Sequence, residues 1–96
     1  MTLGQLRMLV EVGALGGFSR AARSLRRSQP GVSQAIAALE EELGVTLVRR
    51  ARTAVTLTDA GQQVAARARG VLAGVEDIRA TASAARGLER GTLRLG

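Results

Sequence analysis

Seven aliphatic residues, Val64, Ala68, Val71, Val75, Ile78, Ala82 and Ala85, recur at alternating steps of four and three. This is a period of 3.5 sustained over three heptads, the spacing of two helices packed along their length. A helix from Thr58 to Arg86 spans about 40 Å at 1.5 Å per residue. A chain of 96 residues hides only about 60–65% of its unfolded surface, so it is marginal alone and invites a partner. The seam is therefore read as one half of a homodimer interface, with Val64, Ala68, Val71, Val75, Ile78 and Ala82 as contacts. Packing of the seam on its own domain is the alternative. Gly70 and Gly74, one turn apart, weaken this helix by about 1 kcal/mol each relative to Ala.

Composition removes whole classes of chemistry. Cys and His are absent, so disulfides, thiolate metal sites and the commonest general base are excluded. Ser19 and Ser33 have no His or Lys to activate them as nucleophiles. No catalytic residue, metal or cofactor is expected, and an enzyme is the weakest reading. No apolar run approaches the ~20 residues of a membrane span, and no secretion signal is visible. All 14 basic residues are Arg and the net charge is +6. A basic, helical, cytoplasmic module remains, with nucleic acid the first partner to consider.

Leu3, Leu6 and Val10 form a first helical stripe, broken by Gly13, Gly16 and Gly17. Phe18, Ala21, Ala22 and Leu25 mark a second short helix, with Arg26 and Arg27 in the turn that follows. Ser28 is the N-cap of a third, with Pro30 tolerated in its first turn. Val32, Ile36, Leu39 and Leu43 continue that helix to Gly44. The period then changes. Val45 and Leu47, then Val55 and Leu57, read as two short strands around a basic loop, Arg49 to Ala54. Thr58-Asp59 starts the long helix.

This order predicts a mainly α winged helix-turn-helix, three helices plus a two-stranded β wing, followed by a long dimerisation helix. Residues 1–57 are the DNA-binding domain and 58–88 the linker helix. In such a fold the helix 28–43 enters the major groove of double-stranded DNA with its N-terminal end first. Its apolar face must point to the core, which leaves Gln29, Ser33 and Gln34 outward. Gln pairs bidentately with adenine, and Ser accepts several partners. From Phe18 to Gln34 there are four Arg and no acid. The wing carries Arg49, Arg50 and Arg52, suited to a minor groove and to phosphates. Glu40, Glu41 and Glu42 read as a solvated face. The tail Gly91-Thr92-Leu93-Arg94-Leu95-Gly96 alternates like the opening of a strand; by pattern alone it is either the start of another domain or a disordered tail.

The string Phe18-Ser19-Arg20-Ala21-Ala22, Ser28-Gln29-Pro30-Gly31-Val32-Ser33-Gln34, Leu39-Glu40-Glu41-Glu42-Leu43-Gly44 and Leu57-Thr58-Asp59-Ala60-Gly61 resembles the N-terminal region of LysR-type transcriptional regulators over nearly the whole chain. The resemblance implies a bacterial regulator that binds interrupted palindromes as a dimer, commonly a tetramer. It implies base contacts from Gln29, Pro30, Ser33 and Gln34. Backbone and wing contacts fall to Ser19, Arg20, Ser28, Arg49, Arg50, Arg52 and Thr53. It also implies a small-molecule effector sensed by a C-terminal domain that opens at residues 89–96. The chain departs from the family pattern at Gln34 and Thr53, where Arg is usual, at Ala54, often Gly, and at Val48, usually Phe. Arg52 is one residue from the usual wing position, on the opposite face of the ribbon. Two other classes compete: a protein–protein module with incidental charge, and a membrane-surface helix over 64–90, which lacks bulky apolar anchors.

Overall fold

The structure is a computed structural model that describes the backbone of residues 1–95 and the side chains of residues 1–88. It contains α1 (Leu3–Leu15), α2 (Phe18–Leu25), α3 (Gln29–Leu43), β1 (Val48–Arg50), β2 (Val55–Leu57) and α4 (Asp59–Leu95). The expected three helices, ribbon and long helix are all present and in order.

Local chemistry sets most boundaries. Thr2 and Gln5 form a reciprocal capping box at the start of α1, each side chain accepting from the other's backbone N–H at 3.0 Å. Ser28 Oγ accepts from Gly31 N at 3.0 Å and opens α3. Gly16 (φ 77°) and Gly44 (φ 71°) close α1 and α3 in the left-handed conformation that glycine adopts without a Cβ clash. Arg26 closes α2 in the same conformation, with Arg27 N donating to Ala22 O at 2.8 Å. The predicted break at Gly13 does not occur, because α1 runs through it. A Cβ there would lie 2.6 Å from Leu57 Cδ1, so Gly13 is where β2 crosses the helix closely.

The core is aliphatic apart from Phe18. Leu9, Val12, Val32, Ile36, Leu39 and Leu47 are its largest fully buried side chains. α1 packs against α2, α3 and α4. The ribbon is antiparallel, pairing Val48 with Leu57, Arg49 with Thr56 and Arg50 with Val55. Its first strand starts later than the apolar pattern suggested. Val45 is exposed and Leu47 is a buried anchor ahead of the strand. Arg49 and Arg50 therefore lie in β1, and the tip is residues 51–54, closed by Ala51 N to Ala54 O at 2.8 Å.

α4 begins against the backbone of the segment before β1. Thr58 N donates to Leu47 O (3.0 Å), and Thr58 Oγ1 donates to Thr46 O (2.6 Å) while accepting from Gly61 N (2.9 Å). A Cβ on Gly61 would fall 2.0 Å from Leu47 O. The seam then divides. Ala68, expected at the dimer interface, is 2% exposed inside this chain's own core, with Val64 packed against that core. Val71 and Ile78 remain exposed, at 47% and 69%, and Val75 is half-buried. The tail alternation is not expressed as a strand, because α4 is helical through Leu95; Gly96 and the side chains from residue 89 onward lie outside the described residues.

Gly61→Ala is expected to lower stability by about 1–3 kcal/mol, since the added methyl meets rigid backbone. Gly70→Ala, exposed and with open space around it, should instead gain up to about 1 kcal/mol. Urea unfolding of the two variants checks both signs.

Candidate nucleic-acid interface

Val32, Ile36 and Leu39 anchor α3 in the core, which fixes the opposite side outward. Gln29, Pro30 and Gln34 are exposed and Ser33 is half-buried. The four predicted base-reading residues thus share the leading end of one helix. Ser28 is exposed beside them and also caps the helix.

Two hydrogen bonds tie this end to its surroundings. Ser19 Oγ donates to Gln29 Oε1 at 3.0 Å, joining the first turn of α2 to that of α3. Arg50 Nη2 donates to Ser33 Oγ at 3.3 Å, joining β1 to α3. The Arg50 guanidinium lies over the Phe18 ring, 4.8 Å from its centroid, a cation–π contact that holds the side chain between strand and helix. Arg20 Nη1 donates to Leu15 O at 3.2 Å and so satisfies a free carbonyl at the end of α1.

The wing is fixed at its base. Val55 N donates to Gly16 O at 2.9 Å. Glu40 Oε2 accepts from Leu47 N (2.7 Å) and Val48 N (3.3 Å), gripping the chain where it enters β1. Glu40 is thus not part of a merely solvated acidic face, although Glu41 and Glu42 are exposed. The run of three glutamates concealed it. The signal was its place beside buried Leu39, one turn before Gly44, on the side of α3 that the returning chain must cross.

These ties bring α2, α3 and the wing tip around one cleft of about 280 Å³, lined by Ser19, Arg20, Gln29, Arg52 and Thr53 among others. Arg49, Arg52 and Thr53 are exposed, as are Arg23, Arg26 and Arg27. The cleft thus gathers side chains from Ser19 to Thr53, with Arg20 and Arg52 among them. The residues expected at a dimer interface lie elsewhere. Val64, Ala68 and Val71 line an apolar groove of about 410 Å³ with Leu6 and Leu43. Among the described residues no cluster of acidic side chains could hold a metal ion, and no helix is long and apolar enough to cross a membrane.

A family model described as bacterial regulatory helix-turn-helix protein, lysR family, matches residues 3–62. The chain is 42% identical over 97 residues to an uncharacterized HTH-type transcriptional regulator, YvbU, of Bacillus subtilis, covering 100% of this chain and 33% of that protein. It thus spans about a third of the length of the curated relatives it matches. A full-length OxyR variant from Pseudomonas aeruginosa superposes with TM-score 0.83 at 40% identity, covering 88% of this chain and 28% of the other. A BenM DBD solved with benA site 1 DNA superposes with TM-score 0.81 at 34% identity, covering 86% and 93%. The fold is the winged helix-turn-helix of these regulators.

Glu40→Ala leaves two backbone N–H groups at the wing base without their partner. It should cost about 1–3 kcal/mol and speed amide exchange at residues 47–48 more than in α1, measurable by hydrogen exchange.

Proposed function

The chain belongs to the lysR family of bacterial regulatory helix-turn-helix proteins, and on that premise we propose that it binds double-stranded DNA sequence-specifically, as the DNA-binding part of a transcriptional regulator. The observation that carries this is the cleft that the leading end of α3 and the tip of the wing flank, with Arg20 and Arg52 in its lining. A major groove admits one helix, so α3 enters there and reads bases with Gln29, Pro30, Ser33 and Gln34. Arg52 and Thr53 at the wing tip then reach toward the adjoining minor groove, while Ser19, Arg20, Ser28 and Arg49 lie along the sugar-phosphate backbone. The start of α3 adds little further for a phosphate, because Pro30 has no N–H and Gly31 N donates to Ser28 Oγ.

Two copies pair through α4. The support is the exposed Val71 and Ile78, continuous along one helix face with half-buried Val75 and with the apolar groove beside Val64. A two-fold pair of reading heads calls for an interrupted palindrome as operator. In the whole protein a C-terminal domain senses a small effector and supports tetramers, with residues 89–96 leading into it, and the protein works in the cytoplasm on the nucleoid. A protein–protein module without DNA predicts pairing through Val71, Val75 and Ile78 but no duplex binding at physiological salt.

Selection from random duplexes is expected to return two half-sites with fixed spacing. Log K should fall with log salt by about 0.9 per phosphate neutralised. Gln34→Ala should change the preferred bases, whereas Arg49→Ala should weaken every site by a similar factor. Identical behaviour of the two variants on all sequences would refute these roles. Ile78→Glu should convert the dimer to monomer in sedimentation and lose the two-half-site footprint.

A further inference from the structure

Resting on the DNA-binding reading, we infer that Ser19 and Arg50 are positioning residues that turn Gln29 and Ser33 outward as hydrogen-bond donors, so that α3 selects keto bases over amino bases at the positions these two side chains read. A serine hydroxyl has one O–H and two lone pairs, and a glutamine amide has two N–H donors and one carbonyl oxygen. In both residues the oxygen is the atom the protein itself engages. Ser33 Oγ accepts from the Arg50 guanidinium, and Gln29 Oε1 accepts from the Ser19 hydroxyl. Among the described residues the Ser33 O–H and the Gln29 amide N–H groups have no acceptor. Each oxygen keeps one lone pair, but that of Ser33 lies beside the Arg50 cation and that of Gln29 beside the Ser19 contact, so the unengaged hydrogens are what these side chains chiefly offer a ligand.

The electrostatics point the same way. Arg50 is fixed over the Phe18 ring, so its charge stays beside Ser33 and orients the hydroxyl dipole with its hydrogen away from the cation. In the major groove guanine shows N7 and O6 and thymine shows O4, all acceptors; adenine shows one acceptor, N7, beside an amino group, and cytosine shows an amino group alone. A donor-first pair therefore matches guanine or thymine best on the contacted strand, adenine through N7 only, and cytosine least. It also means that Gln29 makes the two-way adenine contact only by sharing Oε1 between Ser19 and the base. Gln34 is exposed and among the described residues has no such tie, so both sides of its amide are open to adenine.

The test is the same duplex selection on the 96-residue chain, scored base by base. Gln29→Ala and Ser33→Ala locate the positions each residue reads, by erasing the preference there. In the unsubstituted chain those positions should be guanine or thymine. Ser19→Ala should then raise acceptance of adenine or cytosine at the Gln29 position by about twofold to tenfold, the scale of one hydrogen bond. Arg50→Gln should do the same at the Ser33 position, with affinity for the best site changed less than the base ratio. A purely structural role would lower binding to all sequences alike and leave those ratios unmoved, and that result overturns the inference. So does adenine or cytosine at both positions, or the absence of any position erased by Gln29→Ala and Ser33→Ala. Ser19→Ala removes one exposed hydroxyl, so it decides the question should Arg50→Gln fail to fold. A chain that selects no sequence at all sinks the DNA-binding reading itself, an outcome distinct from all of these.

Discussion

The contact on which this architecture turns is made almost entirely of backbone. The carbonyls of Thr46 and Leu47 are pressed into the first turn of α4, one held by the Thr58 hydroxyl and the other by the Thr58 N–H. Gly61 is the reason the approach is possible, because no side chain fits between helix and carbonyl. With the start of α4 fixed there, Ala65 and Ala68 are directed into the core and the helix continues past it to Leu95. The same contact sets the entry of β1, and hence where the wing can reach. One junction thus relates the face proposed for DNA to the face proposed for pairing.

A second set of ties makes the reading head a unit. The wing could have been a loose hairpin, since an isolated two-stranded ribbon is marginal in water. Here it is attached to α1–α2 through Gly16, to α3 through Glu40, and to both helices through Arg50 lying between Phe18 and Ser33. Arg20 is occupied with the end of α1. Two arginines that composition counts only as positive charge, Arg20 and Arg50, thus also hold the structure together.

Much of the fold was legible because its signals are local. Ser28 with Pro30, Gly44 and Thr58 mark helix ends through bonds made within four residues, and the inward stripe of α3 follows from a 3.6-residue period. The discrepancies arise where a distant element decides. Gly13 reads as a breaker until Leu57 is known to lie against it. The strand begins at Val48 and not at Val45, because Glu40 from α3 holds the N–H groups of Leu47 and Val48 at its start. Ala68 has the periodicity of an interface residue, yet α1 claims it first. Partners of Gln29 and Ser33 could not be read from spacing, since they come from 10 and 17 residues away.

The bend between α2 and α3 has one more property. Its left-handed residue is Arg26 (φ 56°), the only non-glycine with positive φ among the described residues, and such a conformation costs a branched-at-Cβ-free but still substituted residue about 1 kcal/mol. The corner thus sits under tension that a glycine would relieve. Its cation and its strain arrive together, so relaxing the elbow would also discharge it. Buried Ala21, Ala22 and Val32 act as the clamp that keeps a sprung joint closed.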